Sequence, residues 1–273
     1  MQRNRMMLMG ALALVSALAC NKEKPAEQQQ LAPPAPSALE AAMPKAPTAL
    51  AFAVDPSSSS FTFLMDSALE KIDGDAPQSL SGDLYVDPAD LTKSTALVKA
   101  DLGKLTLYQQ KRADQKGEYG ERTKSDLQNK HARGWLELDE KDREVTAAQA
   151  ESNRIAEIKI LKLENPSESD VTKLSGAERK VTATVSGDFR LHGRKATKSA
   201  KIELNFKYSG DKLEAVEVKT LEPFVVVLEE FEVHPRDPTG KLVKRISDAV
   251  ASNLKGKVAA EAPVKVSFVA KAK

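Results

Sequence analysis

Residues 181–208 read VTATVSGDFRLHGRKATKSAKIELNFKY, and this stretch decides the fold class. Apolar residues alternate with polar ones on both sides of a basic turn that contains His192. Such alternation is typical of β-strands with one buried face, and two alternating runs around a short polar stretch predict a β-hairpin. We therefore expect two antiparallel strands here, with His192 at the end of one of them.

The same alternation recurs after residue 50 and extends the prediction to the rest of the domain. Further alternating runs are found near residues 50–54, 61–65, 84–86, 96–108, 158–160, 216–218, 223–233 and 264–268. Stretches rich in Gly, Pro, Asp and Ser separate them, which favours an antiparallel sandwich or barrel. Residues 118–138 and 240–257 instead have helical spacing. The fold class is thus mainly β, with one or two inserted α-helices.

The amino terminus has the features of an export signal. Arg3 and Arg5 precede an uncharged, largely apolar stretch up to Ala19, which is the length of a secretory signal rather than of a membrane span. We expect residues 1–19 to be a signal peptide. Cys20 follows Ala17-Leu18-Ala19, which suits ordinary signal peptidase and also resembles a bacterial lipobox, with the leucine displaced by one position.

Cys20 is the only cysteine in the chain, so it cannot form an internal disulfide. Lipidation would explain both its presence and its position, and we expect it to anchor the protein. Asn21, rather than Asp, in the next position favours the periplasmic face of the outer membrane. The alternative is a soluble periplasmic or secreted protein with an incidental cysteine.

The stretch after Cys20 has a composition unlike that of a folded domain. Six of the fourteen prolines lie in residues 21–49, and no apolar period is visible. Such segments bury too little apolar surface to offset the entropy lost on ordering. We expect residues 20–49 to be a disordered tether and residues 50–273 to form one domain.

Composition and motifs argue against nucleic-acid binding and against catalysis. The 41 basic and 39 acidic residues are well mixed and give a net charge of +2. The three histidines, His131, His192 and His234, lack metal-ligand spacing, and we expect His131 to pack near Trp135. No nucleophile elbow is present, and the serines at 57–60 are expected to form a turn. We expect no enzyme activity, no cofactor and no metal.

The basic turn has two interpretations. Arg194, Lys195 and Lys198 could meet lipid phosphates, or they could simply keep the end of a hairpin soluble. The second interpretation is favoured.

Three stretches resemble the YceI-like family. Residues 52–65, FAVDPSSSSFTFLM, are similar to its opening strand pair, and residues 80–105, LSGDLYVDPADLTKSTALVKADLGKL, to its next segment. In the hairpin, Gly187, Phe189, Leu191 and Gly193 follow the family pattern. The resemblance implies an exported lipocalin-like barrel of eight antiparallel strands that holds a polyisoprenoid chain, of the quinone-tail kind, and is not an enzyme.

The departures from the family pattern limit what the resemblance implies. The family's His-Ser in the opening pair is Ser58-Ser59 here, and its later Arg-Asp motif is replaced by LQNKHARGWLELDE at residues 127–140. Contacts to a lipid headgroup therefore cannot be assigned. The alternation still proposes apolar residues for the wall of a channel: Phe61, Phe63, Leu84, Val86, Phe189, Leu191, Ile202, Leu204 and Phe206.

The sequence thus leaves two main hypotheses. The first is a cell-envelope lipoprotein that carries a long apolar lipid in a hollow barrel. The second is a structural or protein-interaction lipoprotein whose barrel is filled by the same side chains, because apolar inward residues also make an ordinary core. An envelope hydrolase is the weakest alternative.

Overall fold

The computed structural model describes residue 39 and residues 43–66, 69–114, 116–139, 145–233 and 259–273. The expected signal peptide, Cys20, His234 and the helix expected at 240–257 lie outside these residues. The strands are β1 Leu50–Asp66, β2 Glu70–Pro77, β3 Leu80–Val86, β4 Thr95–Asp101, β5 Thr106–Lys111, β6 Thr123–Lys124, β7 Ile155–Glu164, β8 Glu178–Leu191, β9 Arg194–Ser209, β10 Lys212–Thr220, β11 Phe224–Val227 and β12 Glu261–Ala272. The helices are α1 Asp126–Trp135 and α2 Ala147–Arg154.

The strands form a closed antiparallel barrel of eight strands, which confirms the expected fold class. The sheet closes where β1 pairs with β12, from Phe52 opposite Ala272 to Phe63 opposite Val264. Each position around the barrel is filled by the next part of the chain, so the topology is up-and-down. The closed ring runs through β1, β3, β4, β7, β8, β9, β10 and β12, whereas β11 and β6 are the two terminal strands of the sheet and each pair on one side only among the described residues.

Three of the eight positions are filled by two shorter strands each. β2 and β3 both pair with β1. Beside them, β5 pairs with β2 and β4 pairs with β3. On the other side of the barrel, β10 and β11 both pair with β12. The remaining strand, β6, extends the sheet from β5. These breaks divide the barrel into a base, with β3, β4 and β10, and an opposite end with β2, β5 and β11.

The serines at 57–60 lie inside β1 and do not form the expected turn. The register of β1 against β12 shifts between Asp55 and Ser59, which marks a β-bulge. The Asp55 carboxylate accepts hydrogen bonds from Ser57 N at 3.0 Å and Ser57 Oγ at 2.7 Å. The bulge lets one long strand bend and serve both ends of the barrel.

The hairpin of β8 and β9 confirms the interpretation of the opening stretch. Pairing continues to Leu191 opposite Arg194, which leaves His192 and Gly193 as a two-residue turn. Their φ angles are +50° and +70°. Positive φ at both positions is required by the type I′ turn, whose twist matches the flanking strands.

Of the two inserted helices, α1 falls within the range that the sequence predicted. Its N-cap Ser125 accepts a hydrogen bond from Gln128 N. His131 stacks on Trp135 with 5.8 Å between ring centroids, as expected. Helix α2 was not predicted, and it begins with a capping box of Thr146 and Gln149. None of the described helices is long and apolar enough to span a membrane.

Residues before the first strand also contact the barrel. Thr95 Oγ1 donates to the Pro44 carbonyl at 2.8 Å, and Thr48 Oγ1 donates to the Asp87 carboxylate. The Lys45 ammonium lies 5.3 Å from the centre of the Tyr85 ring. Residues 43–49 thus pack on the barrel, although they belong to the segment expected to be a tether.

Candidate functional site: an apolar cavity in the barrel

The barrel encloses a cavity of about 250 Å³. Strands from all around the barrel and helix α1 contribute to its wall, which is almost entirely apolar. Four polar residues also line it: Ser94, Thr95, Glu157 and Thr220. The Glu157 carboxylate is bound by Arg190 Nε at 2.9 Å, and the Thr220 hydroxyl accepts from Val266 N at 2.9 Å. These two polar groups are thus engaged by the protein itself.

All nine residues that the sequence proposed for a channel wall line this cavity. They come from β1, β3, β8 and β9: Phe61, Phe63, Leu84, Val86, Phe189, Leu191, Ile202, Leu204 and Phe206. The alternation correctly identified the inward face, because a closed barrel places every second residue inside. That these residues contact a ligand stays a prediction.

The cavity occupies part of the interior, and side chains fill the rest. Phe52, Val171, Val181 and Ala270 are at most 1% exposed and do not line the cavity. The cavity does extend into the base, where Leu84, Val98 and Val216 line it. Several apolar side chains in the wall are only partly buried: Phe63, Leu105, Leu136, Phe224, Val264 and Val266. Accessible apolar surface that faces inward is surface that a ligand can cover.

Helix α1 contributes side chains to the cavity wall that were not predicted from the sequence. Ala132, Trp135 and Leu136 line the cavity from this helix. The expected apolar face also included Leu127, which is 60% exposed. The helical spacing signalled a buried face, but the sequence did not show that this face closes the barrel.

An amide side chain attaches α1 to β5. Asn129 Oδ1 accepts from Leu107 N at 2.9 Å, and Asn129 Nδ2 donates to the Leu107 carbonyl at 3.0 Å. The side chain thus satisfies both backbone groups of Leu107 as a neighbouring strand would. This contact fixes the helix against β5, at the end of the barrel that also contains β2 and β11.

His192 has contacts that suit a structural role. Its Nδ1 lies 3.1 Å from the Phe231 carbonyl oxygen, and its Nε2 lies 3.2 Å from Glu137 Oε2. The imidazole therefore joins the hairpin turn to the 3-10 turn Leu228–Phe231 and to the residues after α1. Among the described residues, no three His, Cys, Asp or Glu side chains are placed to hold a metal ion.

The cations of the hairpin are paired with carboxylates. Arg194 binds Glu232, Lys198 binds Glu230, and Lys195 Nζ lies 2.8 Å from Asp188 Oδ2. This pairing favours the interpretation that these charges keep the hairpin soluble.

The titratable groups with clearly shifted pKa values lie away from the cavity. The Lys271 ammonium and the Ser57 hydroxyl lower the pKa of Asp55 to about 2, and the Arg154 guanidinium lowers the pKa of Asp101. Burial raises the pKa of Tyr208. In the part of the chain that the structure describes, none of the groups with a resolved shift lines the cavity.

Comparison with known proteins gave structural likenesses at low sequence identity. No family model and no curated protein matches the chain. A polyisoprenoid binding domain from Saccharophagus degradans, implicated in plant cell wall breakdown, has 15% identity and a TM-score of 0.47 over 82% of this chain and 99% of that one. BcnA from Burkholderia cenocepacia has 13% identity and a TM-score of 0.45 over 79% of this chain and 98% of that one. Both TM-scores lie below 0.5, so the fold rests on the chain's own strand pairing.

Proposed function

We propose that the protein is a non-enzymatic member of the YceI-like family that binds a long apolar lipid, of the polyisoprenoid or quinone type, in the barrel cavity. The observation that carries the proposal is the hollow apolar interior, with inward side chains that remain partly accessible. Covering apolar surface contributes about 25 cal/mol per Å², so a hydrocarbon chain can bind here without a specific polar contact.

The size of the cavity indicates how much of a lipid it holds. On the scale at which a cavity of about 150 Å³ holds one benzene, the 250 Å³ here hold about ten carbon atoms, or roughly two isoprene units. The rest of a longer chain, and any headgroup, would extend beyond the cavity. This agrees with a wall that offers few free polar groups.

The hollow interior favours this function over the filled-barrel alternative. A barrel filled by its own side chains packs at the density of an organic crystal and leaves few voids larger than a water molecule. The cavity exceeds that limit by far, and several apolar side chains in its wall are only partly buried.

The location belongs to the same proposal. We propose that the protein is exported, lipidated at Cys20 and held at the periplasmic face of the outer membrane, so that the barrel can exchange lipid with a membrane. The sequence at residues 1–20 supports this. The intact mass of membrane-extracted protein should exceed that of the chain from Cys20 by a diacylglyceryl group and an acyl chain. An unmodified Cys20 would refute the anchor and leave the cavity proposal standing.

Mass spectrometry of bound lipid tests the proposed function directly. The chain from Asn21 onwards is purified without detergent, so that neither an anchor nor added lipid confuses the result, and its organic extract is analysed. A stoichiometric polyprenyl lipid is expected. An empty extract together with no uptake of added isoprenoid quinone would contradict the proposal and direct attention to protein partners.

A further inference from the structure

One inward row of side chains, at the end of the barrel with β2, β5 and β11, has a gap. The pairing registers place Phe224, Val264, Phe63, Gly74 and Leu107 side by side on β11, β12, β1, β2 and β5. Four of these residues line the cavity, and Gly74 contributes no side chain. The row thus spans five neighbouring strands with one position left open.

The ring of Phe63 occupies the open position. A Cβ on Gly74 would lie 2.3 Å from Phe63 Cε1, 2.7 Å from Phe63 Cζ and 2.9 Å from Leu107 Cδ2. Carbon atoms do not approach this closely without contact repulsion, since their optimal separation is about 3.5–4.0 Å. The ring therefore occupies the place next to residue 74 because that residue is glycine.

The ring of Phe63 belongs to the cavity wall, and β1 places it between Val264 and Gly74. Val264 stands on one side of Phe63 and Leu107 on the far side of Gly74, and both line the same wall. If a methyl group occupied the place of the ring, the ring would have to move, and a move towards the interior would narrow the cavity. Gly74 thus keeps open the space that a bound chain would enter.

We infer that Gly74 and Phe63 form a specificity pair that sets the bore of the cavity to admit methyl-branched hydrocarbon chains. A polyisoprenoid carries regular methyl branches and needs a wider bore than a linear acyl chain. The inference rests on the proposed function, because it assigns the class of lipid that the same cavity selects.

Two alcohols with equal main-chain length test the pair. Hexahydrofarnesol and n-dodecanol share a hydroxyl group and differ only in their methyl branches. Dissociation constants are measured for the wild-type chain from Asn21 and for Gly74→Ala. We expect Gly74→Ala to weaken hexahydrofarnesol binding about tenfold or more beyond its effect on n-dodecanol, in line with the discrimination that one methyl group gives in an apolar pocket.

A second substitution, at Phe63, should restore the binding that Gly74→Ala weakens. Phe63→Leu combined with Gly74→Ala removes the displaced ring and should restore binding of the branched alcohol. Gly134→Ala is the control, since a Cβ on that residue of α1 would meet nothing within 4 Å. Equal weakening of both alcohols by Gly74→Ala, or no restoration in the double variant, would overturn the inference.

Xenon uptake separates this inference from the proposed function. Xenon enters apolar cavities regardless of the natural ligand. We expect Gly74→Ala to take up less xenon than the wild type, and Phe63→Leu to take up more. If the wild type binds neither alcohol, the lipid proposal fails, whereas the xenon comparison still shows whether Gly74 sets the bore. Unchanged xenon uptake in both variants would refute the idea that Gly74 and Phe63 set the width of the cavity. If Gly74→Ala does not fold, the xenon uptake of Phe63→Leu alone decides this question.

Discussion

At the scale of single residues, a buried ion pair couples β7 to β8. The side chains of Arg190 and Glu157 are 5% and 3% exposed, and Arg190 Nη1 also donates to Ser152 Oγ of α2 at 3.2 Å. Lys99 Nζ lies 3.6 Å from the other carboxylate oxygen. Such a pair is sensitive to loss of one member, because the remaining charge stays buried without its partner.

We predict that Glu157→Ala lowers the free energy of unfolding by about 3–5 kcal/mol, because it leaves the buried guanidinium without its carboxylate. Replacing both members, as in Glu157→Leu with Arg190→Met, should cost less than the single change. Urea unfolding of the three proteins measures both effects. A single variant as stable as the wild type would show that the pair contributes nothing.

Asp55 gives the bulge of β1 a dependence on pH. Its pKa is lowered from 3.8 to about 2 in the folded protein by Lys271 and Ser57. A carboxyl group whose pKa is lowered by folding stabilises the fold above its unfolded pKa, and this contribution is lost as the pH falls through the folded value. The loss should therefore occur between about pH 4 and pH 2.

We predict that Asp55→Asn lowers stability at neutral pH and loses less stability than the wild type between about pH 4 and pH 2. Urea unfolding at a series of pH values provides the measurement. Asp211→Asn, at an exposed position in the β9–β10 turn, is the matched control. Parallel pH profiles for the wild type and Asp55→Asn would contradict the prediction.

At the scale of elements, the hairpin shows what alternation and turn chemistry can predict. Period-two apolar residues identified both strands of β8 and β9, and the sequence His192-Gly193 suits a turn with two positive φ angles. The serines at 57–60 look like the same kind of signal, yet they form a bulge. Local residue types favour a bend at both places, and only the long-range pairing with β12 decides between them.

The attachment of α1 to β5 should depend on Asn129. We predict that Asn129→Ala costs about 1–3 kcal/mol, because it removes hydrogen bonds to both backbone groups of Leu107. Amide hydrogen exchange at Leu107 should accelerate. Asn129→Asp keeps an acceptor for the Leu107 N–H and lacks the donor. Its exchange rate at Leu107 should lie between those of the wild type and Asn129→Ala. Unchanged exchange at Leu107 in Asn129→Ala would argue against this role.

At the scale of the whole molecule, the sequence predicted which residues face inward but not whether the interior is hollow. The same alternation is expected for a filled core and for a cavity wall, so the sequence was compatible with either role for Phe63 and Phe189. The decision depends on volumes across strands that are distant in sequence. Gly74, which lies in an Asp-Gly-Asp stretch typical of turns, gave no sign that it receives the ring of Phe63.

Filling the cavity should raise the stability of the protein and weaken its lipid binding. Ala200 faces inward from β9 and is only partly buried. We predict that Ala200→Leu raises the free energy of unfolding by about 1 kcal/mol, because it fills empty space, and weakens lipid uptake about tenfold or more. Ser199→Leu, at the exposed neighbouring position, is the control. Undiminished lipid uptake by Ala200→Leu would indicate that the chain binds elsewhere.

The interior side chains that do not line the cavity have a consequence for the lipid carrier that we propose. Phe52, Val171 and Val181 are at most 1% exposed and belong to the hydrophobic core, but they do not line the cavity. Their burial does not depend on a bound lipid, so the empty protein should stay folded. Releasing a lipid would then cost only the contacts along the cavity wall, and such a carrier could bind again without refolding.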